Sequence, residues 1–360
     1  METLTYEPNE RRASRRFNLP RLQEAGLLVV IAVMWTLLGI KGYHDAAPGS
    51  QNTFLNSDNL ISGVATPMSY YAIMAVGVTF VIIAGGIDIS VGSIFALSAL
   101  LTAWTLQQFP SDASPLIVGP ISLLLPLAVG LFCGLINGAL VVSLRLHPFI
   151  VTLGTMAIFR GTANVLPFPT KTLPSAGVPL PDGSVTHLFK VELLGMPLWP
   201  MIVMLLVTLA GWFYLRCLVA GRENYAIGGN EEAARFSGIP VPRVKLQVYA
   251  LSGALAGLAG LVSLGRFGTI STNSATGYEL TVIAAAVVGG ASLTGGRGTA
   301  IGALLGTLVL ATIENAINTL RLNQDYKSII VGSAIVIAAA LDRLSEYLAK
   351  RRAAGARKTG

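Results

Sequence analysis

Three carboxylates, Asp88, Glu279 and Glu314, and one guanidinium, Arg160, stand in or beside long uncharged stretches of a 360-residue chain. Ionisable groups inside a membrane are costly, and they mark ion paths, proton relays and solute sites. Proton or cation handling is therefore the chemistry these residues could do. Asp88 and Glu279 lie near the ends of apolar runs, where water can hydrate them. Glu314 falls in the last third of its run and forms a polar stripe with Asn315 and Asn318 at i, i+1, i+4. Such a stripe either lines a pathway or faces a neighbouring helix near the outer surface. Asn137 and Asn164 are further amides in or near apolar runs, where the usual task is hydrogen bonding between helices.

Enzyme chemistry finds little support. The two cysteines, Cys133 and Cys217, and the three histidines, His44, His147 and His187, are far apart and have no metal-ligand spacing. None of the seven lysines follows a glycine. A P-loop is thus missing, and with it the means to cradle a nucleotide phosphate. No catalytic, cofactor-binding or metal residue is expected. Energy for any work must come from another subunit or from an ion gradient.

The elements that position these residues follow from composition. Hydrophobic residues make up 53% of the chain and charged residues 12%, about half the charged fraction usual in soluble domains. This excludes disordered and disulfide-stapled classes and indicates an all-α integral membrane protein. Helices that cross ~30 Å of hydrocarbon need about 20 apolar residues. Ten runs are candidates: 25–43, 60–84, 88–107, 118–143, 149–165, 194–217, 245–266, 278–292, 298–318 and 328–346. The first is read as a membrane helix, because no small-residue cleavage site follows its basic stretch.

Basic residues orient the spans. With the N-terminus in the cytoplasm, the inner segments hold 18 Lys and Arg and the outer segments 6, with Arg160 inside a run. Both termini are therefore expected in the cytoplasm. The domain reading is a basic tail at 1–24, a permeation domain at 25–348 and a second basic tail at 349–360. Residues 166–193 form a Pro-rich outer loop, and 219–244 a polar inner one. The net charge of +7 thus belongs to the anionic inner leaflet, not to nucleic acid.

The chain also echoes itself. The stretch from Gly85-Gly86 and the stretch from Gly289-Gly290 share seven identities over 17 residues without a gap. The two lie six spans apart, as in a parallel internal repeat. Adjacent glycines permit non-helical turns. Each pair marks either a helix broken near a pathway, which requires surrounding protein or a water-filled cavity, or a tight loop at the membrane surface.

The inner loop carries a short helix with clear punctuation. Asn230 is a good N-cap and Glu231 and Glu232 suit the positive end of the dipole. Ala233, Ala234 and Arg235 continue the helix, Gly238 stops it, and Pro240 follows. About two turns are marginal alone and need a surface to pack on. That surface is either the chain's own inner face or a soluble partner.

Four stretches, in this order, carry a likeness: GGIDISVGS at 85–93, NGALVVSLRLHPFIVTLGTMAIFRG at 137–161, GRENYAIGGNEEAARFSGI at 221–239 and GYELTVIAAAVVGGASLTGGRGT at 277–299. Together they resemble the ribose-type branch of bacterial ABC transporter permeases, the membrane subunits of carbohydrate importers. The likeness spans roughly 60–345. One departure is Thr281, where the family usually has an acidic residue after Tyr-Glu-Leu. The resemblance implies a ten-helix, type II importer-like permease in the bacterial inner membrane, paired with a second copy or a sister permease. It implies two ATP-binding domains inside, which hold ATP and Mg, and a periplasmic substrate-binding protein outside. It also implies that 230–238 is the coupling helix seated on the ATPase. The expected cargo is a monosaccharide or similar small polar solute. The competing readings are an ion-coupled secondary transporter and a non-transport scaffold or channel; neither has use for an exposed helix at 221–239.

Overall fold

The computed structural model describes residues 19–46, 50–110, 112–166, 177–180, 196–337 and 340. These are mostly helical. Among the described residues, six helices are long and apolar enough to cross a membrane: Glu24–His44, Asn59–Ile83, Pro115–Leu144, Trp199–Cys217, Val241–Phe267 and Ala300–Thr319.

In chain order, α1 covers Leu19–His44 and a π-helical segment, Asn59–Ala65, runs straight into α2, Thr66–Ile83. Then follow α3 (Val91–Leu106), α4 (Pro115–Leu144), α5 (Pro148–Val165) and α6 (Trp199–Cys217). On the predicted inner side are α7 (Val219–Gly229) and α8 (Glu231–Phe236). The chain continues with α9 (Val241–Phe267), α10 (Tyr278–Val288), α11 (Ala300–Thr319) and α12 (325–337). Among the described residues each of the ten apolar runs contains helical backbone, but α3 and α10 are shorter than their runs. At 1.5 Å per residue, neither the 16 residues of α3 nor the 11 of α10 cover the hydrocarbon thickness. Both are half-helices that start after irregular backbone.

Local chemistry sets several ends. Ser114 caps α4 through the Leu116 amide at 3.4 Å, and His147 Nδ1 accepts from the Phe149 amide at 3.4 Å to start α5. Pro115 and Pro148 occupy first-turn positions, where a missing N–H costs nothing.

α2 is apolar on all sides and buried on nearly all of them, the pattern of a central helix. Around it pack α6, α9, α10 and α11. By contrast α1, α4 and α6 expose large apolar side chains such as Leu37, Phe132 and Leu206, faces suited to lipid. The tightest crossing joins α4 and α9. Gly130, Gly134 and Gly138 repeat every four residues on α4; the first two meet Gly253 and Gly257 of α9, and Gly138 meets Leu246 and Tyr249. A Cβ on Gly134 would lie 2.2 Å from the Tyr249 carbonyl oxygen, and one on Gly253 2.2 Å from that of Gly130. Small residues at this spacing let two backbones touch where no hydrophobic effect drives helices together.

Of the predicted outer loop, 177–180 is described, with Leu166 at the loop's start. Strand β1 (Val178–Pro179) pairs antiparallel with β2 (Thr269–Ile270), Val178 opposite Ile270. Val178 and Leu180 are buried, and Gln107 at the end of α3 donates to the Pro179 carbonyl at 2.7 Å. A loop read as external connection thus contributes a strand and two core residues. Residues 167–176 and 181–193 of that loop, and the tails 1–18 and 349–360, lie outside the described residues.

Candidate functional site

Two of the polar residues that sequence placed in apolar runs, Asp88 and Asn137, meet at the break between α2 and α3. α2 ends with the Gly85 amide on the Ile82 carbonyl and the Gly86 amide on the Val81 carbonyl, both at 2.9 Å, with Gly85 at φ +78°. This is a Schellman ending, and a left-handed residue there favours glycine. Residues 86–90 then run non-helically. They are not a surface loop: Asp88 and Ser90 are fully buried, and Asp88 bonds to Ser252 in the middle of α9. Asp88 Oδ1 accepts from the Ser90 amide at 3.0 Å and from Ser90 Oγ at 2.7 Å, and Oδ2 accepts from Ser252 Oγ at 3.1 Å. Asn137 of α4 donates to Ser90 Oγ at 2.7 Å. Thr152 of α5 donates to the Ile87 carbonyl at 3.2 Å and accepts from the Ile89 amide at 3.3 Å.

A hydrated interfacial position for Asp88 is therefore corrected: it is a core carboxylate held by uncharged donors. Side chains from α4, α5 and α9 replace the ladder that the broken helix lacks, which is the condition for irregular backbone at membrane depth. The hydroxyls of Ser90, Thr152 and Ser252 carried no sequence signal, because serine and threonine are common in membrane helices.

The second break has the same ending one residue out of register. Gly290, at φ +99°, bonds the Val287 carbonyl and Ala291 the Ala286 carbonyl, both at 2.9 Å. Gly85 therefore corresponds to Gly290, whereas the ungapped comparison paired it with Gly289. Gly289 instead packs against α11, where its Cβ would lie 2.2 Å from the Gly302 carbonyl oxygen. The two breaks touch. The Gly296 amide donates to the Ile83 carbonyl at 2.9 Å.

α7 lies on this contact. Asn224 Nδ2 donates to the Phe80 carbonyl at 2.9 Å, and the Tyr225 hydroxyl donates to the Gly298 carbonyl at 2.6 Å. Burial pushes the Tyr225 phenol up to about 12, and the Glu24 carboxylate adds to this, so it stays a donor at physiological pH. α8 follows after one residue. Asn230 accepts from the Ala233 amide at 3.0 Å, and Gly238, at φ +82°, ends the unit. Ala234 is buried in a small cluster with Ile227, Val241 and Val244. Lys245 of α9 pairs with Glu231 at 2.7 Å. The exposed residues are Glu232, Ala233, Arg235 and Phe236, the last 88% exposed.

The remaining predicted residues go elsewhere. Glu279 accepts from the Gly277 amide at 3.3 Å in the first turn of α10 and faces α3, where a Cβ on Gly92 would lie 2.7 Å from its Oε2. Arg160 donates to the Thr272 and Ser274 carbonyls and braces the turn before α10. Glu314, Asn315 and Asn318 each have their own partner. Glu314 pairs with Lys327 at 2.7 Å, Asn315 and Asn59 exchange bonds of 2.8 and 3.1 Å, and Asn318 accepts from Gln324 at 2.5 Å. Near Lys327, the Tyr71 ring packs at a tilt against Tyr278 and Tyr70, with ring centroids 4.5 and 4.8 Å away. These rings come from distant positions and read as scattered in sequence.

α7 is thus docked on two mutually contacting helix breaks, and α8 beside it keeps one face exposed. Residues 60–339 match the model of the branched-chain amino acid transport system / permease component family. The chain belongs to this permease family. The ribose import permease of Bacillus subtilis is similar to it at 39% identity, over 80% of this permease and 85% of the relative. The D-allose transport system permease of Escherichia coli is 37% identical over 82% and 86%. The galactose/methyl galactoside import permease of the same species is 35% identical over 92% and 97%. No solved structure matches the permease.

Proposed function

We propose that this permease forms the membrane path of an ATP-driven importer for a monosaccharide delivered by a periplasmic binding protein. The observation that carries the proposal is α8: a capped helix fixed to its own chain through Ala234 and Glu231, with Phe236 and Arg235 presented to the solvent. That surface suits a groove on a cytoplasmic ATPase subunit. The names of the relatives, which span most of their own lengths, support sugar as cargo and the bacterial inner membrane as location.

In this reading the ten helices at the ten apolar runs each belong to a membrane crossing, with both termini in the cytoplasm and a type II importer-like arrangement. Two permeases, identical or sister chains, flank a central path. Two ATP-binding domains hold ATP and Mg, and this chain contributes no ligand to either. The set at Gly85, Gly86, Asp88 and Asn137, buried except at Gly85, and the turn at Gly289 and Gly290 are hinge points that bend as the path switches sides. Glu279, Glu314, Asn315 and Asn318 border the outer half of the path.

The test is mild-detergent isolation of the tagged chain with mass spectrometry of its partners, then reconstitution. A stoichiometric P-loop ATPase, together with ATP-dependent uptake of ribose, allose or galactose by vesicles that also receive the binding protein, is the expected result. Isolation without an ATPase across several detergents, with uptake driven by an ion gradient, defeats it.

A further inference from the structure

The force applied at α8 has to reach two helix breaks, and the contacts of α7 show a route to each. α7 and α8 are separated only by Asn230, which caps α8, while Ile227 of α7 shares a buried cluster with Ala234 of α8. The two helices therefore move as one piece.

α7 is tied to the first break by Asn224, which donates to Phe80 in the last turn of α2. It is tied to the second by Tyr225, which donates to Gly298 just before α11. Between these bonds Gly228 sits where both breaks meet. A Cβ there would lie 1.7 Å from the Ile83 carbonyl oxygen and 2.4 Å from the Gly296 amide nitrogen. A Cβ on Gly295 would lie 2.8 Å from the Gly228 carbonyl oxygen and 3.1 Å from Gly85 Cα. Three backbone segments thus close on one point with no side chain between them. Close-packed contacts of this kind shift as units and do not deform gradually.

We propose that α7 is the transmission element of this permease, with Asn224 and Tyr225 as positioning residues. Asn224 carries the movement to the break at 84–90 and Tyr225 carries it to the break at 291–299. One displacement of α7 and α8 then acts on both halves of the internal repeat together. The inference rests on the importer reading and assigns the route inside it.

The experiment uses the full complex of permease and ATPase, in wild type and in Asn224→Ala and Tyr225→Phe variants. Hydrogen exchange is followed at 84–90 and 291–299, with and without ATP plus vanadate. In wild type, nucleotide changes exchange at both breaks. In Tyr225→Phe the change is lost at 291–299 and kept at 84–90, and in Asn224→Ala the reverse holds. Both variants assemble and hydrolyse ATP, and uptake per ATP falls by roughly 2- to 30-fold, the span over which single residues modulate coupling. Retention of both exchange responses in both variants overturns the proposal while leaving the importer reading standing. A proportional loss of assembly, hydrolysis and uptake also overturns it, because the residues are then merely structural. A wild-type chain that assembles with no ATPase overturns the importer reading, and this proposal with it.

Discussion

Ala233 and Ala234 are adjacent and identical in type, yet one faces the solvent and the other the interior. Replacing Ala233 with Glu should leave the protein folded and abolish uptake, because the change alters only the exposed face of α8. Ala234→Glu forces a charge among Ile227, Val241 and Val244, and removing or misplacing a buried charge costs several kcal/mol. That variant should lose yield and monodispersity on size-exclusion chromatography before transport is measured. Phe236→Ala should weaken ATPase binding by about 2 kcal/mol, roughly 30-fold in affinity, read by titrating the ATPase subunit onto detergent-solubilised permease. The cap at Asn230 and the stop at Gly238 were legible in sequence, because capping is decided by residues within one turn of each other. The opposite facing of the two alanines was not, because it is set by where α9 begins. α9 starts at Val241, four residues earlier than its apolar run, and supplies the wall that Ala234 meets.

At the scale of elements, breaks and crossings follow different rules. A Schellman ending is a statement about hydrogen-bond geometry, so its glycine sits wherever the helix stops. Sequence identity therefore located both breaks but paired Gly85 with the wrong glycine. Asp88 was legible as a notable carboxylate near a span end; its burial was not, because three of its supporting helices are distant in sequence. The same holds for Asn315, whose partner Asn59 lies 256 residues away. Asn315→Ala should lower the thermal midpoint in detergent, since leaving the Asn59 amide half-paired costs about 1–3 kcal/mol. The α4–α9 crossing allows no such half measure. Gly134→Leu drives a side chain into the Tyr249 carbonyl, and overpacking costs about 1–3 kcal/mol even where neighbours are side chains that can yield. Loss of folded protein in the membrane fraction is the expected readout, and wild-type yield would show that the two backbones separate freely.

Over the whole molecule the helices sort into a buried centre and a lipid-facing shell. α2 is enclosed on nearly every side, while α1, α4 and α6 turn apolar side chains outward. The first break, where the half-helix α3 begins, lies at the centre, and the second follows α10 and touches it. A cargo-selecting pocket is not required within such a chain when a separate binding protein delivers the solute. What this chain must recognise on the cytoplasmic side is small. In the proposed importer, the face offered to the ATPase consists of the exposed Glu232, Ala233, Arg235 and Phe236, on a helix of six residues. So short a plug carries little identity. One ATPase could serve several permeases that share it, and exchanging 230–239 between two chains would reassign each to the other's motor, as interchangeable fittings do.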